Sequence, residues 1–246
     1  MTAGVPETVA EAIFRVPLLF DYAATFSWAV SGAVVAIRKR FDVVGVFVVA
    51  LLSSTGGGLV RDAFFLQRTP TFLIDPIYLP LVAAATMLMT LFTASLTRVI
   101  RADTVRKLVD VIDGLGTPAF AVIGMQLAVD HGIPLFGVIF VGVANGVAGG
   151  LLRDVVVRDV PALLRPGQFV SLMLLIACGL FLVLTMHYRI NPTRAAWATV
   201  GGFVVLRLIA VRFNWQTRSV LSENAGKAAG VLGVHAGAGA GDKQDG

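Results

Sequence analysis

Ser53, Gly57 and Arg61 are spaced by four, so any helix that carries them presents all three on one face. The pattern returns as Asn145, Gly149 and Arg153. Each arginine is followed by an aspartate, Asp62 or Asp154, and each central glycine has glycines beside it: Gly56 and Gly58 in the first set, Gly146 and Gly150 in the second. Two more aspartates, Asp21 and Asp113, stand within apolar runs. Ionisable groups at membrane depth are costly and generally mark ion or proton paths. The glycine clusters weaken helix propensity and predict a kink there. A kink would free backbone carbonyls, which are tolerated at membrane depth only where they line water or meet protein. Carbonyls facing water are oxygen ligands for a cation.

Small residues also let membrane helices pack closely, and for the glycines alone close packing is the better explanation. Their conjunction with a charge pair, found twice, favours a path. The expected pairs are Asp21–Arg61 and Asp113–Arg153, serving to gate, to neutralise or only to lock helices together.

Enzyme chemistry is not expected. GGGLVRD lacks the Gly-Lys-Ser/Thr ending of a phosphate-binding loop and follows no strand. His131, His187 and His235 have no ligand spacing, and Cys178 stands alone, so neither a metal centre nor a disulfide is expected. No cofactor is expected beyond permeant potassium or sodium ions, and no nucleic-acid partner.

The elements that must hold these residues are membrane helices. Of the 246 residues 57% are hydrophobic and 14% charged, against about 25% charged in a soluble domain; mean hydropathy is +0.83. Apolar runs cover residues 18–37, 43–60, 77–96, 108–129, 135–152, 169–186 and 195–211, each near the roughly 20 residues that a helix needs to cross a bilayer. Residues 1–17 lack the basic start of a signal peptide. From 217 to 246 the chain is a Gly/Ala-rich tail that is expected to be disordered.

Displaced by 92 residues, the sequence matches itself without a gap. GGLVRD at 57–62 falls on GGLLRD at 149–154, Asp21 on Asp113, Thr25 on Thr117 and Gly32 on Gly124. Apolar composition produces chance matches of Val or Leu, but not of an aligned Arg-Asp pair. The fold expected is therefore all-α: a three-helix unit over 18–104, an inverted copy over 105–186, and a seventh helix over 187–216. Inverted repeats place a site near the midplane at the repeat interface.

Lys and Arg set the orientation. Arg38, Lys39, Arg40, Arg98, Arg101, Arg106, Lys107, Arg153, Arg158, Arg165, Arg212, Arg218, Lys227 and Lys243 fall on one side; Arg15, Arg61, Arg68, Arg189 and Arg194 fall on the other. The richer side is expected to be cytoplasmic, with the N-terminus outside. Arg207, within the last span, is expected to snorkel to the inner head groups rather than act as a sensor or lipid contact. Pro118, in the fourth span, has Phe26 as its counterpart, so the two halves need not bend equally.

GGGLVRD at 56–62, AGGLLRD at 148–154 and FDYAATFSWAVSGA at 20–33 together resemble the prokaryotic branch of the trimeric intracellular cation (TRIC) channel family, over about residues 16–212. The resemblance implies seven spans, a homotrimer in a prokaryotic inner membrane among its lipids, and a pore in each subunit. It also implies monovalent cation conduction, chiefly of potassium, past helices broken at Gly56, Gly57, Gly58, Gly149 and Gly150. The Lys-Glu-Val signature of animal members and a TVGYG filter are both absent from the sequence. A secondary transporter of a small zwitterion such as glycine fits the repeat architecture too; a membrane scaffold has little use for a paired polar stripe.

Overall fold

The computed structural model describes residues 18–96, 102–164 and 170–213. The expectations for residues 1–17 and for the tail, and the positions of Arg15, Arg98, Arg101, Arg165, Arg218, Lys227 and Lys243, lie outside the described residues.

Seven long helices carry the described chain: α1 (Leu18–Arg38), α2 (Val43–Val60), α3 (Tyr78–Leu96), α4 (Ala102–Asp130), α5 (Leu135–Val156), α6 (Val170–Leu182) and α7 (Pro192–Arg212). One π-helical turn prolongs α2 over Arg61–Phe65, and another prolongs α6 over Val183–His187. Six of the seven are long and apolar enough to cross a membrane, and α3 carries a shorter apolar stretch, Tyr78–Phe92. α2 starts where Asp42 caps it, its carboxylate accepting from the Gly45 N–H at 2.8 Å. α7 starts three residues before its apolar run. Pro192 stands first in it, where a missing N–H costs nothing, and the Asn191 side chain accepts from the Thr193 N–H at 3.0 Å.

The turn after α1 reappears after α4. The Phe41 N–H reaches the Ala36 carbonyl and the Arg40 N–H reaches that of Ile37; Ile133 to Ala128 and Gly132 to Val129 repeat both bonds 92 residues on. This closure needs a left-handed residue, filled by Gly132 at φ 68° and by Arg40 at φ 61°. A left-handed non-glycine residue costs roughly 1–2 kcal/mol. Arg40→Gly is therefore expected to raise stability by about 1 kcal/mol, read as a higher midpoint of thermal unfolding in detergent.

Packing follows the repeat. α1, α2 and α3 pack on one another, and α4, α5 and α6 do the same. The units meet where α1 lies on its counterpart α4 and α2 on its counterpart α5, the contacts that an inverted pair of units shares. α7 adds to the second unit through α4 and α6. Large apolar side chains such as Leu91, Ile176 and Leu208 stay exposed on the outer faces, as lipid-facing positions do. The fold is an all-α, seven-helix membrane architecture of 3 + 3 inverted repeats plus one.

The expected helix breaks at the glycines are not found. α2 runs unbroken through Gly56, Gly57 and Gly58 to Val60, and α5 through Gly146, Gly149 and Gly150 to Val156. The glycines instead let the two central helices touch. A Cβ on Gly57 would overlap the Asn145 carbonyl, and one on Gly149 the Ser53 carbonyl. Close approach accounts for them without any loss of helical bonding. The irregular turn in α2 comes just after them, at Arg61–Phe65.

Candidate functional site

The ends of α2 and α5 differ by one residue. α5 closes with the Asp159 N–H on the Asp154 carbonyl, while α2 closes with the Arg68 N–H on that of Asp62. The additional residue is absorbed by the π turn, the usual form of a one-residue insertion in a helix. The two Arg-Asp pairs are thereby held differently.

At the α5 end Arg153 is buried, 3% exposed, and spends its guanidinium on three groups. Nε donates to Asp154 at 2.9 Å; Nη1 and Nη2 donate to the two Asp113 oxygens at 3.0 and 2.9 Å. Ser31 of α1 accepts from Nη1 and donates to Asp113, both at 2.9 Å. The expected Asp113–Arg153 pair is present, with a serine from the opposite unit added to it. A cavity of about 60 Å³ lies beside this cluster, lined among others by Trp28, Asp113, Thr117, Gly150, Arg153 and Arg207. Arg207 lines this cavity, its guanidinium against Gly114 of α4, where the glycine leaves room for it.

At the α2 end the expected Asp21–Arg61 pair does not form. Arg61 turns onto its neighbour, with Nε and Nη2 donating to the two Asp62 oxygens at 2.8 and 3.0 Å. Asp62 is fully buried and also accepts from Arg68 at 3.1 Å, from the Thr71 N–H at 2.8 Å and from the Thr71 hydroxyl at 2.9 Å. Asp21 instead accepts from the Tyr78 hydroxyl. The difference is written in three residues. Past the inserted residue the offset is 91, so Arg68, Thr71 and Tyr78 have Asp159, Ala162 and Phe169 as counterparts, none of which carries a side-chain donor. Without those polar partners in the second unit, Asp113 is left to Arg153. A smaller cavity of about 20 Å³ lies here, lined by Asp21, Thr25, Ser54, Gly58, Arg61 and Phe120 among others.

Between the two cavities α2 crosses α5 at Ser53 and Asn145, both buried. The Asn145 amide donates to the Phe120 carbonyl, while Asn145 Oδ1, Ser53 Oγ and Trp28 Nε1 are buried without a hydrogen-bond partner. Buried polar atoms are nearly always paired with protein or water, so this region is chemically prepared for water or a polar species. The predicted site residues thus fall into two charged clusters and one polar crossing. Arg68, Thr71, Tyr78, Ser31, Trp28 and Phe120 were not anticipated. Only the last two left a sequence trace, an aromatic residue at the same place in both copies. Among the described residues no cluster of His, Cys, Asp or Glu could hold a metal ion.

A family model described as glycine transporter matches residues 18–94 and 110–187. A UPF0126 membrane protein of Deinococcus radiodurans is 31% identical over 185 residues, covering 75% of this chain and 83% of that protein. Among solved structures, one from work on conductance through TRIC cation channels is 25% identical with a TM-score of 0.69, covering 83% of this chain and 97% of its own. The TRIC trimeric intracellular cation channel orthologue from Rhodobacter sphaeroides has the same fold at 23% identity and TM-score 0.71, over 80% of this chain and 97% of its own.

Proposed function

From the premise that the chain belongs to the glycine-transporter family, as a UPF0126-type membrane protein with the fold of prokaryotic TRIC channels, we propose that it is a cation channel. The path runs within each subunit along α2 and α5, from the Asp21 cavity past Ser53 and Asn145 to the Asp113 cavity, and carries potassium. The observation that carries this reading is the pairing of two charged cavities with partnerless buried polar atoms at the crossing between them.

The electrostatics are compatible with cations. An uncompensated arginine beside a low-dielectric path would repel potassium by several kcal/mol. Arg61 is bound to Asp62, and Arg153 to Asp113 and Asp154, so neither stands as a bare charge. Subunits assemble as trimers, as the Rhodobacter sphaeroides orthologue is described. The multi-pass chain lies in the inner membrane of a prokaryote, N-terminus outside, on the strength of its Lys and Arg distribution.

Reconstitution into planar bilayers tests this. Unitary potassium currents are expected, with small anions excluded. The family model's description supports a second reading, uptake of a zwitterion such as glycine. Electrical silence together with saturable glycine uptake into liposomes would replace the channel by that transporter.

A further inference from the structure

Trp28 of α1 and Phe120 of α4 occupy the same position in the two repeats, 92 residues apart. They meet each other, with ring centroids 5.4 Å apart at an interplanar angle of 68°. Both are buried, Trp28 at 2% and Phe120 at 5% exposure. Trp28 lines the Asp113 cavity and Phe120 lines the Asp21 cavity. The two rings therefore meet edge to face between the cavities, each forming a wall of one of them.

The indole is seated with little clearance. A Cβ on Gly116 would overlap its nitrogen, one on Gly149 would overlap its six-membered ring, and Gly150 leaves only ordinary contact at 3.6 Å. Close helix packing alone asks for small residues on both sides, yet here the largest side chain in the alphabet fills the space that the glycines clear. Contacts between α1 and α4 and between α2 and α5 are the ones the two repeats share across their interface. A ring pair at that interface is displaced by movement of either unit against the other.

We propose that Trp28 and Phe120 form an aromatic plug, one ring from each repeat, that separates the two cavities and must part for the path to become continuous. Rings in contact close the gap by filling it, without needing a charge to block it, and the partnerless Ser53 Oγ, Asn145 Oδ1 and Trp28 Nε1 are left to meet water once the rings part. Edge-to-face ring contact stabilises the closed arrangement. The proposal rests on the reading of the two cavities as one path.

Gly58 and Gly150 offer a test, because they are repeat equivalents that line opposite cavities and each has room for a Cβ. In a Cys178→Ala background, Gly58→Cys and Gly150→Cys are each exposed to a membrane-impermeant thiol reagent from one face of oriented vesicles, then from the other. With both rings present each reporter is expected to react from one face only, the two from opposite faces. Trp28→Ala or Phe120→Ala is expected to raise reaction from the wrong face by roughly tenfold, the order of a lost aromatic contact. Should an alanine variant fail to assemble, Phe120→Leu and Trp28→Leu, which keep apolar bulk, are expected to give a smaller rise in the same direction. Two-sided reaction with the rings in place, or sidedness unchanged in assembled ring variants, overturns the plug. The readout needs no current: a chain that is silent in bilayers yet shows ring-dependent sidedness sinks the channel reading and leaves the plug standing.

Discussion

Arg153→Met is expected to lower the stability of the folded chain by about 3–5 kcal/mol, the scale of removing one partner from a buried ion pair. Three groups lose their bond to the guanidinium at once, Asp113, Asp154 and Ser31, and Asp113 keeps only the Ser31 hydroxyl of its described donors. The two carboxylates, whose side chains are 18% and 11% exposed, then lose the guanidinium that bridges them. Arg61→Met is the matched control, and a smaller loss of about 1–3 kcal/mol is expected there. Asp62 keeps Arg68 and both Thr71 donors, and Asp21 keeps Tyr78. Unfolding midpoints in mixed detergent read both losses. Adding Asp113→Asn to Arg153→Met is expected to return part of the stability, since it removes one of the two carboxylate charges that Arg153 offsets. Equal losses for the two arginines would contradict the asymmetry between the ends of α2 and α5.

The second large effect is at the helix crossing, where neighbouring glycines are expected to respond with opposite sign. Gly57→Ala and Gly149→Ala place a Cβ into the carbonyl oxygens of Asn145 and Ser53. Backbone cannot rotate aside as a side chain can, so α2 and α5 must separate, at about 1–3 kcal/mol for each substitution. Gly58→Ala and Gly150→Ala meet nothing nearer than 3.5 Å and 3.6 Å. There the helix propensity of alanine prevails, and a gain of about 0.5–1 kcal/mol is expected. Thermal retention of helical circular dichroism in detergent measures all four. If all four destabilise alike, the glycines are held by something other than this crossing.

Much of the architecture was legible because it is a matter of length and repetition. Apolar runs about one bilayer long can only be helices in lipid, and the register of 92 brought Asp21, Arg61 and the glycines onto Asp113, Arg153 and their glycines. Whether a glycine marks a break or a contact was not legible, because weak helix propensity and close packing call for the same residue. The unbroken helices resolve this in favour of contact. Symmetry with Asp113–Arg153 points to an Asp21–Arg61 pair that the structure replaces by Arg61–Asp62 and Asp21–Tyr78. Nothing in the spacing of Arg68, Thr71 or Tyr78 says that they converge on one end of α2, since they arrive through a π turn and a loop.

The sequence by itself determined the membrane class, the number of helices, the duplication and which residues are equivalent. These depend on hydrophobic length and on identity at a fixed offset, and both are one-dimensional. Only the tertiary structure decided which aspartate each arginine holds, that Arg207 lines a cavity beside Arg153, and that Trp28 meets Phe120. Those outcomes depend on which side chains reach one another across a helix interface. Differences as small as Thr71 against Ala162 decide which donors reach the aspartate at each helix end.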